Sequence, residues 1–262
     1  MRDAPIGFFD SGLGGLTIRR EVMRITPREH TLYLADSAHA PYGEKSREEI
    51  LERSRINTRW LLGRGCKMIV VACNTATTNA IHALRQEFKV PFVGIEPAIK
   101  PAATQSKNKR IGVLATRGTL GSSLFASTAR LHAQGIRVVE QEGKGLVRMI
   151  ESGQWQNAGT RDHLKSLLAP MLAEGIDSLV LGCTHYPLLI PQLREILPDS
   201  VRILDPGPAV ARQVLKVLES SGLSREGDGP AVHEVFTSGD PALANQLLGW
   251  MGYPESARAF PA

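Results

Sequence analysis

Short apolar runs alternate with longer amphipathic stretches along almost the whole chain. The short runs are bounded by glycine, proline or polar residues, which is typical of strands buried in a sheet. The longer stretches carry apolar residues three and four positions apart, which predicts helices. The predicted strands are residues 6–9, 31–35, 68–72, 92–95, 111–115, 136–140, 178–182, 202–204 and 234–237. The predicted helices include residues 47–62, 76–88, 120–132 and 160–173.

The two halves of the chain also resemble each other. Ile6-Gly-Phe-Phe-Asp10 is similar to Ile111-Gly-Val-Leu-Ala, 105 positions later. Ile69-Val-Val-Ala-Cys73 is similar to Leu179-Val-Leu-Gly-Cys183, 110 positions later. One duplicated unit with small insertions would produce both offsets.

Strands that alternate with helices predict βαβ units and mainly parallel sheets. Together with the repeat, they predict an α/β fold of two similar lobes, each a mainly parallel sheet flanked by helices, with the active site in the cleft between them. Prolines at Glu96-Pro97 and Asp205-Pro-Gly-Pro208 mark the expected crossings between lobes. We therefore expect residues 1–96 plus 208–262 to form the first lobe and residues 97–207 the second.

Composition narrows the class of protein. The 262 residues are 42% hydrophobic and 22% charged, as in a globular domain with a substantial core, and no apolar run reaches the roughly 20 residues that span a bilayer. The net charge of +5 is scattered and aromatic residues make up only 5%, so no nucleic-acid partner is expected. Three distant cysteines and the absence of a visible signal peptide indicate a reducing, cytoplasmic location.

The two cysteines of the repeat are the first candidates for chemistry. Cys73 and Cys183 each follow a predicted strand at its carboxyl end, where open α/β sheets bind ligands. One thiol from each half suggests a site with an acid/base group on either side of one carbon atom. Because Cys73 also precedes a predicted helix, we expect the helix N-terminus to lower its pKa from about 8.5. Cys66 has no polar neighbours and is assigned to the core.

Polar residues beside these cysteines extend the candidate site. His185 follows Cys183 by two positions and is a natural proton partner near neutral pH. Asp10-Ser11-Gly12-Leu-Gly14-Gly15 lies between a predicted strand and helix, and we expect Ser11 and the backbone N–H groups to hold a carboxylate, leaving Asp10 for acid/base work. A dinucleotide-binding turn is the alternative, but Thr17 stands where its third glycine would be.

Two other kinds of site fit less well. A zinc site requires three or four ligands at suitable spacing, and the chain contains no CxxC or HxxxH motif, so no metal is expected. A hydrolase with a Cys-His nucleophile gives no reason for a second, matching cysteine.

Six stretches, in order over essentially the full chain, resemble the cofactor-independent glutamate racemases. They are Phe9-Asp10-Ser11-Gly12-Leu-Gly-Gly-Leu, Pro41-Tyr42-Gly43-Glu-Lys-Ser46, Ala72-Cys73-Asn74-Thr75-Ala, Gly94-Ile-Glu96-Pro97, Ile111-Gly-Val-Leu-Ala-Thr116 and Leu181-Gly-Cys183-Thr184-His185-Tyr-Pro-Leu-Leu189. The resemblance implies two-base interconversion of L- and D-glutamate at Cα, without cofactor or metal, to supply D-glutamate for peptidoglycan. It also implies a small-molecule substrate and a homodimer.

The resemblance further assigns roles to individual residues. It implies that Cys73 and Cys183 exchange the proton and that Asp10, His185 and Glu151 assist them. The substrate-binding residues that it implies are Asp10, Ser11, Pro41, Tyr42, Gly43, Asn74, Thr75, Thr116, Thr119, Thr184 and His185. The family often has Asp-Thr-Ala-Arg after the second strand, whereas this chain has Asp36-Ser-Ala-His39, so no role is transferred to His39.

Other functions stay open at this point. Aspartate racemases are the nearest alternative, and they typically have an acidic residue where this chain has His185. Hydantoin racemases and maleate isomerases use two cysteines on the same fold. An amino-acid binding protein would also have a two-lobed cleft, but it would need a secretory signal and would have no use for a pair of thiols.

Overall fold

The computed structural model describes residues 2–260, which form ten strands and eleven α-helices. The strands are β1 Ile6–Asp10, β2 Thr31–Ala35, β3 Met68–Val71, β4 Phe92–Gly94, β5 Arg110–Ala115, β6 Arg137–Glu142, β7 Ser178–Gly182, β8 Arg202–Leu204, β9 His233–Thr237 and β10 Ala257–Ala259. The helices are α1 Leu16–Ile25, α2 Arg47–Gly63, α3 Asn74–Glu87, α4 Ile99–Gln105, α5 Arg117–Leu120, α6 Ser123–His132, α7 Leu146–Glu151, α8 Ala158–Ala173, α9 Ile190–Ile196, α10 Gly207–Ser220 and α11 Pro241–Trp250.

The strands form two separate sheets in which all neighbours are parallel. The first sheet has the order β10-β9-β2-β1-β3-β4 and the second has the order β6-β5-β7-β8. The order β2-β1-β3-β4 recurs as β6-β5-β7-β8, so the internal repeat of the sequence is a repeat of topology. The predicted α/β fold of two similar lobes is confirmed. The boundaries proposed for the two lobes stay a prediction.

Burial explains why the strands read as apolar runs. Every residue of β1, β2, β3 and β7 is buried, because helices cover both faces of a parallel sheet. One apolar cluster continues from the first lobe into the second and includes Leu13, Leu16, Leu146 and Ile150. In the part of the chain that the structure describes, no helix is both long and apolar enough to cross a membrane.

The four predicted helices all form, with ends shifted by one or two residues in α2, α3 and α8 and with one of them divided. Helix α3 begins at Asn74, two residues early, because the Cys73 sulfur accepts a hydrogen bond from the Ala76 N–H and acts as its N-cap. The stretch predicted as one helix over residues 120–132 is divided between α5 and α6. The division follows from a new N-cap, since the Ser122 hydroxyl accepts a hydrogen bond from Phe125 N at 3.1 Å.

The topology also fixes where a ligand can bind. In each sheet the chain turns from one side to the other at a switch point, between β1 and β3 and again between β5 and β7. Ligands of open α/β sheets bind beyond the carboxyl ends of the strands at such points. Asp10 ends β1, Cys73 lies just beyond β3, Thr116 follows β5 and Cys183 follows β7. The four strand ends therefore bring the candidate residues of both lobes to one cleft.

Candidate active site

A cavity of about 250 Å³ lies between the lobes at these strand ends. Its lining residues are Ser11, Pro41, Tyr42, Gly43, Cys73, Asn74, Thr75, Thr116, Val147, Cys183, Thr184 and His185. Sequence reasoning missed only Val147, because one apolar residue of an amphipathic helix gives no functional signal. Asp10, Thr119 and Glu151 lie behind this wall.

Cys73 lies in the first lobe, 3% exposed, with its sulfur 3.4 Å from Ala76 N and 3.8 Å from the Ser11 hydroxyl oxygen. Burial raises the pKa of the Cys73 thiol well above its usual value, and the neighbouring Asp10 raises it further. The hydrogen bonds from backbone N–H groups lower the pKa by less. The expectation that the helix N-terminus lowers this pKa is therefore wrong, because desolvation of the buried sulfur outweighs the helix.

Asp10 is the acidic neighbour of Cys73 and is completely buried. Its carboxylate accepts hydrogen bonds from Ser11 N and Gly15 N, both at 2.7 Å, and from the Thr184 hydroxyl of the second lobe at 3.3 Å. Burial raises the pKa of Asp10 despite these donors. The carboxyl group thus joins the two lobes next to the first thiol.

Cys183 has a different partner. Its sulfur lies 3.7 Å from Nδ1 of His185, whose Nε2 in turn contacts Oε1 of Glu151. Burial by itself would lower the pKa of His185, but the hydrogen bonds to Cys183 and Glu151 prevail and raise it well above its usual value. The arrangement favours an imidazolium beside the second thiol, and Cys183, His185 and Glu151 form a connected triad.

The glycine-rich turn of the first lobe supports that triad. Leu13 N donates to Glu151 Oε1 at 2.7 Å, and Gly14 N lies 3.2 Å from Nε2 of His185. A Cβ atom on Gly12 would overlap the Glu151 carboxylate, and one on Gly14 would overlap the His185 ring. The turn therefore requires glycine because side chains of the other lobe rest directly on its backbone.

The use of these N–H groups corrects one expectation. The sequence predicts that the turn holds a ligand carboxylate with its backbone donors. Instead, the N–H groups of residues 11 and 15 bind the Asp10 carboxylate, that of residue 13 binds Glu151 and that of residue 14 points to His185. Four of the five N–H groups in the turn are thus directed at the protein's own side chains, and within residues 2–260 only that of Gly12 has no partner. A ligand carboxylate therefore needs further donors from other segments.

Asn74 and Thr75 begin α3 at the cavity wall. The Asn74 side chain is buried, and neither its amide nitrogen nor its amide oxygen has a hydrogen-bond partner within residues 2–260. Buried polar groups are rarely left unpaired, so this amide is available for a ligand. The Thr75 hydroxyl lies 2.8 Å from that of Thr116 and 3.3 Å from that of Thr119. These three hydroxyls form one cluster across the lobes.

Tyr42 lines the cavity, but its hydroxyl is bonded to residues that do not line it. The hydroxyl donates to Asp36 and lies 3.1 Å from the side-chain nitrogen of Asn57. Tyr42 is therefore placed to meet a ligand with its backbone rather than its hydroxyl. Within the described range, no group of three or more His, Cys, Asp or Glu side chains is arranged to hold a metal ion.

Comparison with known proteins gives a consistent result. The family model for Asp/Glu/hydantoin racemases matches residues 16–214. A glutamate racemase of Ectopseudomonas mendocina is 50% identical over 251 residues, covering 94% of this chain and 95% of the relative. A glutamate racemase isoform of Bacillus anthracis has a similar structure, with a TM-score of 0.91, 30% identity and coverage of 100% and 98% of the two chains.

A third comparison includes a ligand. The glutamate racemase of Francisella tularensis, solved in complex with D-glutamate, matches with a TM-score of 0.87 and 26% identity, covering 100% of this chain and 98% of the other. The resemblance seen in the six sequence stretches is confirmed by these similarities.

Proposed function

Because the chain belongs to the Asp/Glu/hydantoin racemase family, it is an isomerase, and we propose that it interconverts L-glutamate and D-glutamate without a cofactor. One observation carries the proposal. A thiol from each lobe lines the same small cavity, and each thiol has its own polar partners. Two such groups, one on each side of a carbon, can remove a proton from one face and return one to the other without the substrate turning over.

The proposed chemistry begins with one cysteine as thiolate and the other as thiol. The thiolate takes the α-proton, and the electron pair of the broken C–H bond stays on Cα, next to the carboxylate. The opposite thiol then donates its proton to the other face of Cα and becomes a thiolate. The reverse reaction exchanges these roles. His185 stabilises negative charge on Cys183, whereas the backbone N–H groups of Ser11 and Ala76 provide donors beside Cys73.

Polar groups along the cavity wall can bind the substrate. The amide of Asn74, the hydroxyls of Ser11, Thr75 and Thr184, and the backbone at Tyr42 and Gly43 line the cavity, and we assign them to the two carboxylates and the ammonium group. Fixed donors matter here because without a cofactor the carbanion is not delocalised into an imine. The carboxylate must be held in place while both thiols stay aligned with Cα.

The test of this function is a substrate comparison. Purified protein is incubated with L-glutamate, L-aspartate or a hydantoin, and the loss of optical rotation is followed. We expect loss with glutamate alone, since His185 stands where aspartate racemases typically have an acidic residue. Rotation lost with aspartate or the hydantoin but not with glutamate would assign the enzyme to another branch of the family. Glutamate binding without loss of rotation would indicate a binding protein.

The biological setting follows from this activity. We assign the enzyme to the cytoplasm as a homodimer that supplies D-glutamate for peptidoglycan; the free thiols of Cys66, Cys73 and Cys183 suit a reducing compartment. Cells that lack the gene should grow only with added D-glutamate. Light scattering of the purified protein should give twice the mass of the 28.5 kDa chain.

A further inference from the structure

A buried carboxylate outside the cavity lining gathers donors from several elements. Asp36, just beyond β2, is fully buried. Its two oxygens accept hydrogen bonds from Nε and Nη2 of Arg53, at 2.9 and 2.8 Å. They also accept hydrogen bonds from the hydroxyls of Ser238 and Tyr42, and Nδ1 of His39 lies 2.9 Å away. The donors come from α2, from the two short 3₁₀ helices after β2 and from the segment after β9. This cluster lies at the carboxyl edge of the first sheet.

The Asp36 carboxylate is not available for proton transfer. Burial would raise its pKa, but the hydrogen bonds from Arg53 and Tyr42 and the charge of Arg53 together lower it below the usual value. The ionised form is therefore favoured, and both of its oxygens already accept hydrogen bonds. Its role must be exerted through the residues that it holds.

Tyr42 is the one member of the cluster that lines the cavity. The residue is 1% exposed, and its hydroxyl is fixed by Asp36 and Asn57. Tyr42 and Gly43 both form part of the cavity wall. Within residues 2–260 the N–H groups of Tyr42 and Gly43 have no hydrogen-bond partner. Two successive free N–H groups are a common binding site for a carboxylate.

Close contacts define the position of the Tyr42-Gly43 segment narrowly. A Cβ atom on Gly43 would lie 2.8 Å from Cβ of Thr116 in the second lobe, which is too close without movement. A Cβ atom on Gly118 would lie 3.2 Å from Cα of Gly43. The segment is thus confined on the cleft side by the second lobe and on the other side by the Asp36 cluster. A shift of the cluster would move the two N–H groups relative to the cavity.

We propose that Arg53 is a positioning residue for substrate binding, acting through Asp36 and Tyr42 to fix the N–H groups of Tyr42 and Gly43 for a substrate carboxylate. The inference rests on the proposed function. Arg53 itself does not line the cavity, and its guanidinium holds both oxygens of Asp36 in one plane. Lysine cannot reproduce that two-point contact, although it keeps the charge.

The test compares two equivalent substitutions in the same helix. Arg53→Lys removes the two-point contact with Asp36. Arg55→Lys is the matched control, because Arg55 makes a similar two-point contact with Glu87, at 2.9 and 2.6 Å, on the exposed surface between α2 and α3. Racemisation of both enantiomers and thermal unfolding are measured for the wild type and both variants.

We expect Arg53→Lys to raise KM for both enantiomers about 10-fold and to change kcat by less than about twofold, because a carboxylate contact made equally in ground and transition states affects binding only. Arg55→Lys should change neither constant. An unchanged KM for Arg53→Lys, or an equal rise for Arg55→Lys, would overturn the inference. A purely structural role would lower the melting temperature and the active fraction and leave KM unchanged.

A second variant tests the inference in case Arg53→Lys does not fold. Tyr42→Phe removes only the hydroxyl link to Asp36, and we expect KM to rise about threefold at similar kcat. If Arg53→Lys does not fold and Tyr42→Phe has the wild-type KM, the inference fails. A wild-type protein that does not racemise glutamate is a separate result: it refutes the proposed function itself, and the inference with it.

Discussion

Cys73 and Cys183 follow equivalent strands of two sheets with the same order, yet their surroundings differ. Cys73 caps a helix and lies beside a hydroxyl and a buried carboxyl group, and burial raises its pKa. Cys183 lies beside His185, whose pKa is raised by contacts with Cys183 and Glu151. The duplicated topology thus repeats the position of the sulfur and not its chemical partner. Two-base racemisation needs an acid/base group on each face of Cα, but the two groups can have different neighbouring residues.

The two halves also depend on each other. Asp10 of the first lobe accepts a hydrogen bond from Thr184 of the second. Glu151 of the second lobe accepts one from Leu13 of the first. Neither thiol therefore has its full set of partners within its own lobe, so we expect both to be competent only when the lobes are together.

Removal of either thiol should have the largest effect on activity. Cys73→Ala and Cys183→Ala should each lower kcat/KM at least about 10³-fold in both directions, because each direction needs one sulfur as base and the other as acid. The loss must be equal for both enantiomers, since the equilibrium constant of a racemisation is one. Cys66→Ala, in the core with its thiol pKa raised by burial to about 12, is the control and should keep wild-type kcat. Near-wild-type racemisation by either active-site variant would refute the two-base account.

A smaller effect is expected from disturbing the contact between lobes on the Cys183 side. A methyl group at Gly14 would overlap the His185 ring, so Gly14→Ala should displace the imidazole and lower kcat about 100-fold. Gly63→Ala, where nothing lies within 4 Å of the added Cβ, is the matched control. The kcat of both variants is measured in stopped racemisation assays. Equal activity of the two would mean that His185 does not depend on the glycine-rich turn.

The smallest of these effects concerns charge. Glu151→Gln keeps an oxygen for Leu13 N but removes the carboxylate beside His185, and we expect kcat to fall about 10-fold. Since Glu151 raises the pKa of His185, that pKa should drop in the variant. The contribution of the His185 imidazolium to stability and activity is fully present below about pH 6.5, and it is lost as the pH rises through the folded-state pKa. The alkaline limb of the pH–rate profile should therefore move to lower pH. A limb at the wild-type pH would mean that Glu151 does not affect the titration of His185.

Much of the fold and the membership of the cavity follow from local patterns. Buried parallel strands have apolar sequences, and the residues after them lie at the carboxyl edge of their sheet. The internal repeat places Cys73 and Cys183 at equivalent points of the two sheets, which is why the sequence alone pairs them. The contacts of Leu13 with Glu151 and of Gly14 with His185 depend on how the lobes pack, which no local pattern encodes. Likewise, the desolvation that raises the Cys73 pKa depends on the surrounding fold.

Other elements escape sequence reasoning for equally physical reasons. Strand β10 has only three residues, two of them exposed, at the sheet edge and therefore has no apolar pattern. The ion pair between Asp36 and Arg53 joins a strand end to a helix 17 positions later, and neither residue has a distinctive neighbour in sequence. Val147 has the sequence character of an ordinary helix core residue, although it lines the cavity.

The origin of the proton that reaches Cα distinguishes a reaction with two thiols from a reaction with a single base. Wild-type enzyme is given L-glutamate in D₂O, and deuterium at Cα is measured by mass spectrometry in both enantiomers during the first few per cent of reaction. Two thiols predict that the D-glutamate formed carries deuterium from the first turnover, while unreacted L-glutamate keeps its proton. D-glutamate that retains the original proton, or L-glutamate that gains deuterium as fast as product forms, would indicate a single base and contradict the account.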